Sequence, residues 1–149
     1  MLSKKAKYGL KAVLYLAKHY GNPQGNIVVA ELSKQEYIPR KFLEKILLEL
    51  KNRNILQSRM GRHGGYTLSR DPDKIFMGEV VRILDGPLGP LPCVSENSYL
   101  PCMDCKEERT CEIRRVMKLV RDATVDILDK TSLEAALHQN LRAMQQAMR

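Results

Sequence analysis

Four cysteines, Cys93, Cys102, Cys105 and Cys111, fall within 19 residues of a 149-residue chain that has no other cysteine. Thiolates are soft ligands that select zinc, copper(I) or iron–sulfur clusters, and four is the number that zinc or a cluster takes from one chain. Two residues separate Cys102 from Cys105, and five separate Cys105 from Cys111. A zinc ribbon would show two Cys-x-x-Cys pairs on hairpin turns; one pair and two unequal spacings in a long loop suit a cluster better than a structural zinc. A redox dithiol at Cys102 and Cys105 is a third chemistry, without the βαβ pattern that usually surrounds one. A disulfide framework requires an oxidising compartment. The chain has no run of about 20 apolar residues, and its start, MLSKKAKYGL, lacks a secretory apolar segment, so a cytoplasmic location without membrane association is expected.

The elements around the cysteines must position them. Residues 93–111 are polar, interrupted by Pro101 and free of periodicity, so they are predicted to be a loop. Before them, residues 85–92 carry two glycines and three prolines and mark a domain boundary. After them, Ile113, Val116, Met117, Val120, Ala123, Thr124, Ile127 and Leu128 recur at three- and four-residue steps, which predicts a long amphipathic helix over 112–129. Arg114, Arg115, Lys118, Arg121, Asp122 and Asp126 are expected on its outer face. A long helix beyond a domain boundary commonly meets a second copy of itself, so a homodimer is expected. Thr131-Ser-Leu-Glu134 reads as a capping box that starts a last helix, with Leu133, Leu137, Leu141, Met144 and Met148 on one side for packing.

The charge is divided between the two halves. Residues 1–82 hold 16 Lys and Arg against 7 Asp and Glu, a net +9, whereas residues 83–149 carry −1 of the chain's +8. Residues 39–51, PRKFLEKILLELK, form the centre of the basic half. Pro39 suits a first helical position, Phe42, Leu43, Ile46, Leu47 and Leu50 make one apolar face, and Asn54 can close the helix in the left-handed conformation. A second short helix is predicted over 28–34, with Val29, Leu32 and Val28 inward and residues 35–38 as a tight connection, which is helix-turn-helix spacing. Residues 55–59 and 66–69 read as paired strands around a glycine-rich basic loop, a wing. Ser3 caps a helix over 4–20 with Leu10, Val13, Leu14 and Ala17 inward. Another helix spans 74–84, with Ile75, Met77, Val80, Val81 and Leu84 as core candidates. A cationic first turn on a small helix is what a major groove accepts, so the candidate DNA contacts are Arg40, Lys41 and Lys45 from this helix and Arg59, Arg62 and His63 from the wing.

At these residues the chain resembles the Rrf2 family of bacterial winged-helix transcription regulators. The resemblance lies in Lys7-Tyr-Gly-Leu-Lys-Ala, Ile38-Pro-x-x-Phe-Leu-x-x-Ile-Leu-x-x-Leu50, Ser58-x-x-Gly-x-x-Gly-Gly-Tyr-x-Leu68 and Asp85-Gly-Pro before a cysteine, and covers roughly residues 1–135. The family usually carries arginine where this chain has Met60, which leaves the wing contacts to Arg59 and Arg62. The resemblance implies that 112–129 is the dimerisation helix. It also implies that Cys93, Cys105 and Cys111 ligate an iron–sulfur cluster of two or four irons, one that handling in air can strip. The fourth ligand of known members is a histidine three residues after the last cysteine, here Arg114, or an acid in the first helix, here Lys7; Cys102 is the residue available in its place.

The sequence thus predicts a mainly helical fold with a small β-hairpin wing. Its parts are a winged helix-turn-helix domain over 1–84, a linker and cysteine loop over 85–111, and dimerisation and C-terminal helices over 112–149. The function expected is a repressor that binds a double-stranded operator and is controlled by the cluster or thiol state of the loop. Two alternatives stand beside it: a metal-free regulator of the same fold responding to a protein partner, and a small redox or electron-transfer protein. No nucleophile–base pair, phosphate loop or carboxylate pair points to an enzyme.

Overall fold

A computed structural model of the chain describes residues 2–138. Six helices and one hairpin follow in the order α1 (Lys4–Lys18), α2 (Val29–Glu36), α3 (Arg40–Asn52), β1 (Leu56–Arg59), β2 (Gly65–Leu68), α4 (Met77–Asp85), α5 (Glu112–Lys130) and α6 (Leu133–Leu137). The predicted Leu141, Met144 and Met148 lie outside the described residues.

Ser3 caps α1 by accepting from the Ala6 amide at 3.0 Å, and the helix buries Ala6, Leu10, Ala12, Val13, Leu16 and Ala17 against α3 and α4. The α3 stripe Leu43, Ile46, Leu47 and Leu50 is fully buried, and Phe42 meets Tyr8 edge-on with centroids 5.6 Å apart. Each such leucine, fully removed from water, stabilises the fold by about 1.5–3 kcal/mol. Pro39 is the N-cap of α3 rather than its first helical residue, so the helix starts one residue later than expected, and Asn54 takes φ +59°. The turn between α2 and α3 is shorter than predicted, because α2 continues to Glu36 and Tyr37 reverses the chain at φ +54°. Val28 is the N-cap of α2 and is 47% exposed, so it does not join Leu32 in the core.

β1 and β2 pair antiparallel from Leu56 opposite Leu68 to Arg59 opposite Gly65. Ile27 adds an isolated antiparallel bridge to β2, exchanging backbone hydrogen bonds with Tyr66 at 2.9 and 2.8 Å. Only glycine fits at position 65: its φ is +135°, and a Cβ there would stand 2.5 Å from the Ile27 carbonyl oxygen. Arg70 fastens the base of the wing, donating to both Glu79 carboxylate oxygens at 2.6 and 2.7 Å and to the Asn54 carbonyl at 2.8 Å.

The last short helix returns to the same core. Its N-cap is Ser132, which accepts from the Ala135 amide at 3.1 Å, so the cap lies one residue later than the expected box from Thr131 to Glu134. Leu133 is fully buried, and the bridge between Phe76 and Ser132 ties the segment to the entry of α4. The winged-helix core therefore includes a residue from beyond the cysteine loop. Of the described residues, no helix is long and apolar enough to cross a membrane.

Candidate nucleic-acid interface and cysteine loop

On α3 the apolar stripe faces inward, which leaves Arg40, Lys41, Glu44 and Lys45 exposed on the opposite side. Arg40 pairs with Glu44 at 3.2 Å; both side chains are about half exposed or more, so the pair is weak and easily exchanged for another anion. Lys45 borders a shallow groove with Leu48, Asn52 and Arg53. Arg59, Arg62 and His63 are exposed on the wing. With His19, Asn26 and Glu31 they border a concave surface of about 890 Å³ between the wing and the start of α2. The Asn26 amide donates to the His63 carbonyl at 3.3 Å, a tie that nothing in the local pattern announces.

The loop contains two 3₁₀ turns, Pro92–Val94 and Glu108–Thr110, where no regular structure was expected. The first turn lies against α5 with Cys93 and Val94 buried. Burying that backbone requires donors for its carbonyls, and α5 supplies them: Arg114 Nε donates to Cys93 O at 3.2 Å and Arg121 Nη1 to Val94 O at 2.6 Å. The two arginines predicted to face solvent are thus turned onto the loop. Arg121, its side chain 11% exposed, also approaches Glu96 at 3.8 Å.

Cys111 is the N-cap of α5, its sulfur accepting from the Arg114 amide at 3.4 Å. Cys105 closes a turn on the Cys102 carbonyl at 3.4 Å, and its thiol lies beside that of Cys111. Desolvation first, then the neighbouring Cys111, pushes the Cys105 thiol above its ordinary range. Cys102 is exposed, and all four cysteines are free thiols. Among the described residues no three His, Cys, Asp or Glu side chains group closely enough to hold a metal ion. The donor chemistry suits a cluster, but the thiols are not gathered as a ligand set in this arrangement.

Helix α5 itself buries none of its residues. Ile113, Val116, Val120 and Ile127 of the predicted stripe are 45–65% exposed, and Leu119 beside them is 70% exposed. The stripe continues into an apolar groove of about 790 Å³ bordered by Leu2, Val81, Leu88, Val120, Ile127 and Leu128.

The arrangement of helix-turn-helix, wing and unburied long helix agrees with comparison to known proteins. The profile of the Rrf2 family, described as an iron-dependent transcriptional regulator, matches residues 2–139. The chain belongs to the Rrf2 family. An Rrf2-like HTH-type transcriptional regulator of Rhodobacter capsulatus is 40% identical over 139 residues, 92% of each chain. The HTH-type transcriptional regulator CymR of Bacillus subtilis is 30% identical over 133 residues, covering 89% of this chain and 86% of that one. The solved structure of CymR, the global cysteine regulator of B. subtilis, superposes with a TM-score of 0.76 over 93% of this chain and 97% of that one, at 27% identity. The IscR of T. potens shares the fold, with a TM-score of 0.72 over 96% of this chain and 90% of that one at 23% identity. This Rrf2 protein is a transcription regulator with a winged-helix fold, and not an enzyme.

Proposed function

We propose that this Rrf2 protein is a dimeric DNA-binding repressor whose operator affinity is set by the state of its four-cysteine loop. The observation that carries the reading is the exposed cationic surface of α3 and the cationic wing, both mounted on one buried core in a chain of this family. Arg40, Lys41 and Lys45 serve the major groove, while Arg59, Arg62 and His63 serve the flanking backbone and minor groove. The α5 stripe and its groove seat the α5 of a second copy, because an unburied apolar helix of 19 residues gains stability only by covering that face. A two-fold pair then presents two α3 helices to half-sites about one turn of DNA, ~34 Å, apart.

Regulation acts through the contact of the loop with α5. Cys93 and Val94 hold Arg114 and Arg121, and Cys111 caps the helix, so any change that pulls the thiols together moves groups that position the dimer helix. Ligation of a cluster by Cys93, Cys105 and Cys111, with Cys102 as the fourth ligand, would require the loop to rearrange. The test is purification without oxygen, visible absorbance, and iron, sulfide and operator affinity for the wild type and each Cys→Ser variant. A brown protein that loses its bands in the Cys105→Ser or Cys111→Ser variant establishes the cluster. A colourless one whose affinity changes with thiol oxidation establishes the thiol state. Equal affinity in every state rejects the sensor.

A further inference from the structure

Met60 stands at the tip of the wing with 96% of its surface exposed, directly after Arg59 and two residues before Arg62. An apolar side chain held so fully in water adds nothing to the packing of the fold. Its mount is nevertheless well defined. Asn26 holds the His63 carbonyl, Ile27 pairs with Tyr66, and the Gly64 amide donates to the Gly61 carbonyl at 3.0 Å, so the turn is tied to the start of α2 on one side and closed across its own base. The sequence of the tip is cation, apolar side chain, glycine, cation.

We propose that Met60 is a specificity-determining residue, an apolar wedge that enters the minor groove between the phosphates engaged by Arg59 and Arg62. The inference rests on the reading of the wing as a DNA contact and identifies what that contact recognises. A minor groove about 6 Å wide is walled by deoxyribose, which offers an uncharged, flexible thioether the apolar contact that a phosphate cannot. Apolar side chains placed there part the base steps and bend the duplex, and pyrimidine–purine steps yield most readily. Because Met60 carries no charge it releases no counterion, so its contribution does not depend on salt.

The probes are duplexes selected from a random library against the wild-type protein, with an unselected duplex of equal length as control. Met60→Ala should weaken binding to the selected duplex about fivefold or more, leave the control unchanged and keep the salt slope, since an apolar contact is lost and no ion pair. Replacing the pyrimidine–purine step beneath the wing by a stiff A-tract should remove the difference between wild type and variant. Met60→Arg should steepen the salt slope by about one. The exposure of Met60 means that the variants fold as the wild type does, which melting curves check. Unchanged affinity of Met60→Ala for the selected duplex, or equal loss on both duplexes, overturns the assignment. Arg59→Ala and Arg62→Ala on the same duplexes separate the levels. If both are silent, the wing reading itself fails; if they weaken binding while Met60→Ala does not, only the wedge is wrong.

Discussion

Arg82 on α4 and Asp129 on α5 meet as a parallel fork, Nη1 to Oδ1 at 2.6 Å and Nη2 to Oδ2 at 2.8 Å, across 47 residues of sequence. The hydrogen bond that Arg82 donates to Asp129 raises the pKa of the guanidinium above its already high range, against the effect of burial. Gly78 makes the approach possible, since a Cβ there would run into the Asp129 carboxylate. This pair is a side-chain link between the winged-helix body and the helix proposed to form the dimer.

Asp129→Ala should therefore cost only about 0.5–1 kcal/mol of stability, because both side chains are about a third exposed and water screens the pair. Gly78→Ala should cost no more than that, because the Cβ displaces only the Asp129 carboxylate and unmakes the same fork, while alanine as the better helix former offsets about 0.5–1 kcal/mol. Thermal unfolding of the two variants gives the ranking, and a larger loss for Gly78→Ala would mean that the close approach packs more than the fork.

Val120→Asp should convert the proposed dimer to monomer. Val120 sits in the exposed α5 stripe at 46% exposure, so a lone chain tolerates the charge, whereas a two-fold seam would bury two like charges facing each other at a cost of several kcal/mol. Sedimentation velocity reads the result directly; an unchanged dimer would place the interface elsewhere.

Arg40→Ala and Arg62→Ala should differ in kind. Loss of a base contact by Arg40 costs about 1–3 kcal/mol and relaxes preference at one operator position, whereas loss of a phosphate contact by Arg62 weakens all sequences alike and lowers the salt slope by about one. Binding titrations at several salt concentrations on selected and unselected duplexes distinguish the two. If both variants bind as the wild type does, the interface is misplaced.

The hydroxyl of Tyr20 donates to Asp71 at 2.9 Å, joining the end of α1 to the exit of the wing. That bond, followed by Lys74, holds the Asp71 carboxyl below its ordinary range, and the same bond raises Tyr20. A depressed carboxyl contributes stability that is present above its unfolded value and lost as pH falls through the folded one. A raised phenol contributes below its unfolded value and loses this as pH rises through the folded one. The melting temperature of Tyr20→Phe should therefore fall below the wild type only between about pH 4 and pH 10, with the two curves converging outside that window. A constant difference across the whole range would show that the hydroxyl acts by packing alone.

What the sequence determined by itself was everything that depends on near neighbours along the chain. The three- and four-residue steps of Leu43, Ile46, Leu47 and Leu50 placed α3 to within one residue, and Ser3 marked the start of α1. Gly64 and Gly65 announced the wing because a tight basic turn next to another strand leaves room for no side chain. The α5 stripe could be read for the same reason, since its period is local and belongs to one helix, whereas its exposure is seen only in the fold. The tertiary structure alone decided which groups meet across long separations. Periodicity assigned Arg114 and Arg121 to solvent, yet buried carbonyls of Cys93 and Val94 needed donors and drew both arginines inward. Four clustered cysteines signalled chemistry, but whether they converge depends on how the turns at 92–94 and 108–110 fold back on α5. That path placed Cys105 beside Cys111 and left Cys102 in water. A side chain's direction follows from the helix that carries it, while its partner is chosen by whichever buried polar group must be satisfied.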